Sequence, residues 1–400
     1  QPVVVDRKAE PTGKTVAVIG GGPGGLTAAY YLSLMGHDVT VYEQRPKLGG
    51  MLRYGIPDYR LPQDVLDRDI RHILTAGMKV HTGVSIGKDL PMENIQSSFD
   101  AVYLSIGAHA DKKLGLEGED AKNVISAVAL LRGIGEGNVP DFTGKKVCIV
   151  GGGNVAMDAS RTARRLGAES VTCVYRRRVA DMTALPEEIE EAMREDCQIL
   201  PLEGGARIET DQDGKVAALW TRPQIVGAYG RDFRPKPVNA DAKEFRIPCD
   251  YVIVAIGQAI ESQEFEKVGV TTVRGAIQAD HTSSVPGVDN VFAGGDAVSG
   301  PATVIRAVAA GKVAAANIDN FLGFDHKISC DVEVPPAHFT NAPPCGRVNL
   351  RSSAKPQCKG DFSLVMEGMT QEEAQQESSR CLRCDHFGYG SFKGGRNTEW

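Results

Sequence analysis

An α/β chain with two Rossmann-like units and an irregular, cysteine-containing carboxyl-terminal tail is predicted by three observations. Two glycine-rich fingerprints occur, each behind a β-branched strand and ahead of a helix. Further apolar runs end in glycine turns, as buried parallel strands do. At 400 residues, the chain is too long for one compact core and fits two or three domains.

The first fingerprint reads Val16-Ala-Val-Ile-Gly20-Gly-Gly22-Pro23-Gly24-Gly25. It predicts a strand over 15–19, a helix over 24–35 capped by Gly36, and a strand over 38–42 followed by Glu43. The second reads Val147-Cys-Ile-Val-Gly151-Gly-Gly153-Asn154-Val155-Ala156-Met-Asp158. The same plan follows: strand 146–150, helix 154–166 with Gly167 as cap, strand 170–175, and then Arg176-Arg177-Arg178 in the place that Glu43 holds in the first unit. Two more strands end in turns at Gly107 and Gly257, and Val291-Phe-Ala-Gly-Gly295-Asp296 precedes a small-residue helix over 302–321. The economical layout is a first domain split in sequence, 14–115 and 260–325, with a second inserted at 143–258 and a tail over 326–400.

Each fingerprint carries its own chemistry. Gly20, Gly22 and Gly25 tighten the turn, admit a pyrophosphate and allow close helix–strand packing, while the helix start offers free N–H groups. Glu43, about 20 residues on, accepts hydrogen bonds from ribose hydroxyls and repels a 2′-phosphate, so the expected ligand is FAD or NAD(H). The Gly295-Asp296 strand end favours FAD: a carboxylate there bonds a ribityl hydroxyl, and a helix start stabilises anionic reduced flavin. In the second fingerprint Ala156 replaces the third glycine, which the pattern tolerates. Arg176 and Arg177 then predict a 2′-phosphate clamp and NADP(H). The alternative is a solvated basic run.

Cys148, Cys173, Cys197 and Cys249 stand singly in apolar segments and form no Cys-x-x-Cys pair, so no redox dithiol is expected beside a flavin. Electrons would therefore leave for an iron–sulfur or second-flavin acceptor. Five cysteines crowd the tail. Cys345, Cys358, Cys381 and Cys384 could hold a [4Fe–4S] cluster or Zn²⁺, with Cys330 or His386 substituting, or remain metal-free thiols. His37, His72, His81, His109, His281 and His326 stand singly and are given no catalytic role. A net charge of −6 gives no reason for a nucleic-acid partner, and no apolar run approaches a membrane span. The start resembles neither a signal nor a transit peptide, so a cytoplasmic location is expected. Gln1 in place of an initiator methionine predicts a piece of a longer polypeptide.

Gly20–Gly25, Glu43, Gly49-Gly-Met-Leu-Arg-Tyr-Gly-Ile-Pro57, Gly151–Asp158, Val174-Tyr-Arg-Arg177 and Gly294-Gly-Asp296 together resemble the small (β) subunit family of NADPH-dependent glutamate synthase, from about Lys14 to Leu322. The same module resembles the nucleotide-binding part of dihydropyrimidine dehydrogenase and flavin subunits of electron-bifurcating NADPH–ferredoxin and transhydrogenase complexes. The resemblance implies that FAD takes hydride from NADPH and hands electrons to iron–sulfur clusters. It further implies that Gly50, Met51 and Leu52 line the isoalloxazine, that Ala302, Thr303 and Val304 meet its pyrimidine edge, and that Arg176 and Arg177 clamp the 2′-phosphate. Thirteen residues precede Lys14, so the cysteine-rich segment that the resemblance places ahead of the flavin module is not in this sequence; Arg380-Cys-Leu-Arg-Cys384 stands at the other end. The expectation is thus an FAD-dependent NADPH oxidoreductase module with iron–sulfur or flavin partners, favoured in a bifurcating complex. The weighed alternatives are a glutamate synthase small subunit, a non-catalytic nucleotide-binding scaffold, and a flavin monooxygenase or oxidase.

Overall fold

In the computed structural model, which describes residues 8–230, 233–327, 345–352 and 359–380, the first fingerprint opens the chain's main sheet. β1 (Thr15–Ile19) enters α1 (Pro23–Leu34) and returns as β2 (Asp38–Glu43). Gly36, at φ +86°, ends α1 in the left-handed conformation that a side chain resists. Then come α2 (Met51–Tyr54), α3 (Gln63–Leu74), β3 (Lys79–Thr82), α4 (Met92–Ser98), β4 (Ala101–Leu104) and β5 (Ala110–Asp111).

A second set follows: β6 (Val124–Ser126), α5 (Ala127–Gly135), β7 (Lys146–Val150), α6 (Asn154–Arg165), β8 (Ser170–Tyr175), α7 (Pro186–Arg194) and β9 (Cys197–Pro201). The chain then builds β10 (Glu203–Thr210), β11 (Val216–Tyr229), β12 (Pro235–Asn239) and β13 (Phe245–Pro248) before returning through β14 (Tyr251–Val254) and β15 (Gln258–Ala259). Last come α8 (Gln263–Glu266), β16 (Thr272–Val273), β17 (Ala276–Ile277), β18 (Val291–Ala293), α9 (Asp296–Ser299), α10 (Val304–Phe321) and α11 (Gln371–Ser379).

Two five-stranded parallel sheets result, ordered β18-β4-β1-β2-β3 and β6-β14-β7-β8-β9. Both fingerprint strands are central, and both carry residues shut off from solvent on the two faces, as helices covering both sides require. β18 returns residues 291–293 to the first sheet, beside β4. The second sheet begins at Val124, ahead of residue 143 where the sequence starts its second unit. The helix expected over 302–321 begins instead at Val304, after the separate short α9. β10–β13 form an antiparallel four-stranded layer that the sequence reading left unassigned. β5 and β15, the connections between the units, pair antiparallel over two residues each.

Candidate functional site

The two fingerprints build the same cradle. Gly20 holds φ +107°, and a Cβ there would lie 2.3 Å from the Ser105 carbonyl oxygen, on the neighbouring strand's end. Gly151 holds φ +153°, with its Cβ position 2.2 Å from the Ala255 carbonyl oxygen. A Cβ on Gly25 would lie 1.9 Å from the Gly20 carbonyl, so α1 can close on β1 only with glycine there. Gly22 and Gly153 cap α1 and α6 with no side-chain hydrogen bond, leaving first-turn N–H groups available to an anion.

Above the first cradle lies an open cleft of about 190 Å³. Gly20, Gly22, Pro23, Gly24, Glu43, Gly50, Met51, Gly107, Gly295 and Asp296 all line it, though they come from five strand ends and turns. Glu43 is 5% exposed, and its carboxylate oxygens accept the Gly21 N–H at 2.7 Å and the Arg45 N–H at 2.7 Å. Burial pushes this carboxyl above its ordinary range, against the pull of those N–H groups and of Arg45. Each oxygen keeps lone-pair capacity for a ribose hydroxyl. Burial likewise raises Asp296, whose carboxylate accepts the Ala302 N–H at 3.2 Å.

Other expected residues sit elsewhere. Leu52 packs half-buried against the hydrophobic core of the first unit and is not among the cleft's lining residues. Ala302, Thr303 and Val304 are exposed at the start of α10, outside that lining. Ser105, Lys88 and His109 line the cleft but were not singled out for it; the strand-end position of Ser105 and His109, past β4, was the available signal. Burial, with the Arg45 and Arg132 guanidinium groups, pushes the His109 imidazole down to about 4, so it is neutral near pH 7.

In the second cradle, Asn154 accepts the Leu185 N–H at 2.9 Å, Val155 packs half-buried against the core, and Ala156 is fully buried. The strand register corrects one expectation. The Gly20 N–H bonds the Tyr42 carbonyl, and the Gly151 N–H bonds that of Val174. Tyr175, not Arg176, therefore takes the place of Glu43, and its ring lies 2.4 Å from where a Cβ on Gly152 would be. Arg176 and Arg177 follow one and two positions later. Arg176 is exposed; Arg177 donates Nε to the Pro235 carbonyl at 2.8 Å, and its terminal nitrogens have no hydrogen-bond partner among the described residues. Arg178 is committed to Asp181 at 2.8 Å and 2.9 Å. Gly257, at φ +114°, stands past β14 as Gly107 stands past β4.

Cys148, Cys173, Cys197 and Cys249 are buried, and among the described residues no cysteine lines the cleft. Cys345 is exposed, with Sγ 3.8 Å from Ser379 Oγ at the end of α11; Cys330, Cys358, Cys381, Cys384 and His386 lie outside the described residues. The histidines do not all stand singly. His37 Nε2 and His326 Nδ1 both bond Asp319 Oδ1, at 2.9 Å and 2.7 Å, joining the turn after α1 to the chain beyond α10. Burial acts to raise the Asp319 carboxyl, but these imidazoles and the His326 N–H together hold it below its usual range.

The model of the pyridine nucleotide-disulphide oxidoreductase family matches residues 14–311. The chain belongs to this family. Among its curated relatives are the beta subunit of an NADP(+)-dependent formate dehydrogenase of Moorella thermoacetica, 35% identical over 394 residues, which cover 94% of this chain and 55% of that one. The glutamate synthase [NADPH] small chain of Escherichia coli is 34% identical over 331 residues, covering 78% of this chain and 69% of the relative. The beta subunit of the NADPH-Fe(3+) oxidoreductase of Geobacter sulfurreducens is 34% identical, covering 93% and 61%. The family resemblance read from the motifs is thereby borne out, and the chain spans 55% to 61% of the length of two of these relatives. In fold, it is similar to Mycobacterium tuberculosis FprA in complex with NADPH, with a TM-score of 0.66 at 18% identity, over 78% of this chain and 84% of that one. Thioredoxin reductase of T. acidophilum aligns with a TM-score of 0.60 at 19% identity, over 77% and 99%. Among the described residues, no helix is long and apolar enough to cross a membrane.

Proposed function

We propose that this chain is an FAD-dependent NADPH oxidoreductase module that passes electrons between NADP(H) and iron–sulfur or flavin partners in a larger complex. The observation that carries the reading is one glycine cradle built twice, on two parallel sheets, with a buried carboxylate at the first and, beside the second, arginine terminal nitrogens that have no hydrogen-bond partner among the described residues. A flavin, when bound, supplies the chemistry: it takes two electrons as hydride and releases them singly. The first cradle and α1 start hold the FAD pyrophosphate, Glu43 holds the ribose, Asp296 a ribityl hydroxyl, and Gly50 and Met51 border the ring. In the second unit α6 start holds the NADP(H) pyrophosphate, and Arg176 and Arg177 hold the 2′-phosphate. Among the described residues no thiol lines the cleft, which favours an external acceptor over a disulfide.

The relatives named as beta or small subunits support a multi-subunit setting; the cytoplasmic location rests on the sequence reading alone. The finer choice of an electron-bifurcating complex rests on the motif resemblance; the 34% identity to a glutamate synthase small chain favours that subunit as the second reading. Cys345, whose Sγ lies beside Ser379 at the end of α11, is proposed with Cys358, Cys381 and Cys384 as a ligand set for [4Fe–4S] or Zn²⁺. Iron, sulfide and zinc analysis of the purified chain tests the ligand set, and metal-free protein refutes it. Anaerobic titration of the FAD-loaded chain tests the main reading. NADPH should bleach the flavin at lower concentration than NADH does; an NADH preference refutes the arginine assignment.

A further inference from the structure

The two units are joined by more than their connecting strands. Arg60, in the loop between α2 and α3, reaches across to α6, where Nη1 lies 2.9 Å from each carboxylate oxygen of Asp158. Its Nη2 meets Glu188 of α7 at 2.9 Å. Next to it, Tyr59 is fully buried against two guanidinium groups of α6, with Arg161 at 4.6 Å and Arg165 at 4.3 Å from the ring centroid. A strap from the carboxyl-terminal segment closes over this joint. The Gly360 N–H donates to the Arg165 carbonyl at 2.7 Å, Phe362 packs on Tyr59 with ring centroids 6.1 Å apart, and the Val365 N–H donates to the Tyr59 carbonyl at 2.9 Å.

Three features separate this joint from ordinary packing. Asp158 is buried while Arg60 is partly exposed, so displacing Arg60 would leave the Asp158 carboxylate uncompensated in the interior, which disfavours other arrangements of the joint. Asp158 is 4% exposed and lies one helical turn, about 6 Å, from Asn154 at the nucleotide-facing end of α6. On the other side, the loop that carries Tyr59 and Arg60 continues from α2, whose Met51 lines the first cleft. One clasp thus grips both cradles close to their ligand-facing ends. Besides the clasp, α2 packs on α5, Arg45 pairs with Glu136 at 3.0 Å, and the β5–β15 ribbon adds two residues in each strand; of these contacts only the clasp reaches α6.

We propose that Arg60 and Tyr59, closed in by residues 359–365, form a positioning clasp that holds the second cradle where its nicotinamide meets the flavin of the first. The inference rests on the function proposed above. It gives the carboxyl-terminal segment a role in hydride transfer without contact with either cofactor, and it predicts a chain that works in one fixed orientation of its units rather than by rotation between two.

The test uses the FAD-loaded full chain with Arg60→Ala, Arg60→Lys and Phe362→Ala. An ångström of misplacement costs hydride transfer about 100-fold, so Arg60→Ala should slow flavin reduction at saturating NADPH by about that factor. Its NADP⁺ dissociation constant and FAD content should stay unchanged. Arg60→Lys, which keeps the charge and loses the fork, should recover part of the rate, and Phe362→Ala should show a smaller loss. Independently of activity, electron–electron resonance between nitroxide-bearing unnatural residues on α3 and α7 should give one narrow distance in the wild type and a broad one in Arg60→Ala. A wild-type rate or a narrow, unmoved distance in Arg60→Ala overturns the clasp alone. Should Arg60→Ala fail to fold, wild-type rates in both other variants overturn it. A wild-type chain whose bound FAD is not reduced by NADPH overturns the proposed function, and the clasp with it.

Discussion

Replacing Glu43 with glutamine tests the first cradle with little change of shape. The carboxylate accepts two backbone N–H groups at 2.7 Å, from Gly21 and Arg45, at a site nearly closed to water. The amide offers one oxygen and one NH₂, so one of the two N–H donors then faces another donor. A buried donor left unmatched costs about 1–3 kcal/mol. Burial already disfavours the Glu43 charge, and a neutral side chain relieves that penalty, so the two changes oppose each other in the apo fold. FAD binding has no such offset. Loss of one or two charge-assisted bonds to ribose hydroxyls, at about 1.5 kcal/mol each, weakens binding by about 10-fold to 100-fold. Fluorescence titration of apo Glu43→Gln with FAD measures the dissociation constant, and circular dichroism checks that the fold survives. A folded variant that binds FAD as tightly as the wild type refutes the placing of the ribose on Glu43.

Three further outcomes follow from the same geometry. Replacing both Arg176 and Arg177 with alanine should remove the NADPH preference, since charged hydrogen bonds contribute about 1.5–3 kcal/mol each; comparing NADPH and NADH dissociation constants checks it, and a retained preference contradicts the assignment. Gly152→Val places a side chain against the Tyr175 ring, 2.4 Å from the Cβ position, and should abolish reduction by NADPH while leaving FAD content intact; parallel loss of FAD would show that the units are not separable in this way. His109 titrates near 4 in the fold, below its ordinary 6.5, so the unfolded chain binds more protons in that window. Its contribution to stability is therefore complete above pH 6.5 and is lost as pH falls towards 4, and His109→Gln should flatten that acid limb in melting curves; an unchanged limb contradicts the buried neutral imidazole.

The parts of the fold legible in sequence were those where local pattern and topology agree. Val16–Ile19 and Val147–Val150 are continuous apolar runs ahead of glycine, because central parallel strands bury both faces. Even the three-residue β18 was marked by Gly-Gly-Asp. The antiparallel layer was hidden for the opposite reason. β11 is interrupted by Pro223 and carries Ile225 and Tyr229 to solvent, so neither a clean alternation nor a buried run announces it. The placing of Arg176 slipped by one residue because Tyr175 continues the apolar run as readily as it ends it; only strand register, fixed by the Gly151–Val174 bond, decides. His37 and Asp319 meet across 282 residues, and Arg60 and Asp158 across 98. No local periodicity encodes such pairings.

The central claim is hydride transfer from a nicotinamide in the second cradle to a flavin in the first. The most direct measurement is anaerobic stopped-flow reduction of the FAD-loaded chain by NADPH carrying deuterium at the transferred C4 position. The account predicts flavin bleaching with a primary isotope effect at saturating NADPH, and a slower approach with NADH. An oxidised flavin that persists under saturating NADPH, with both nucleotides bound, would contradict it.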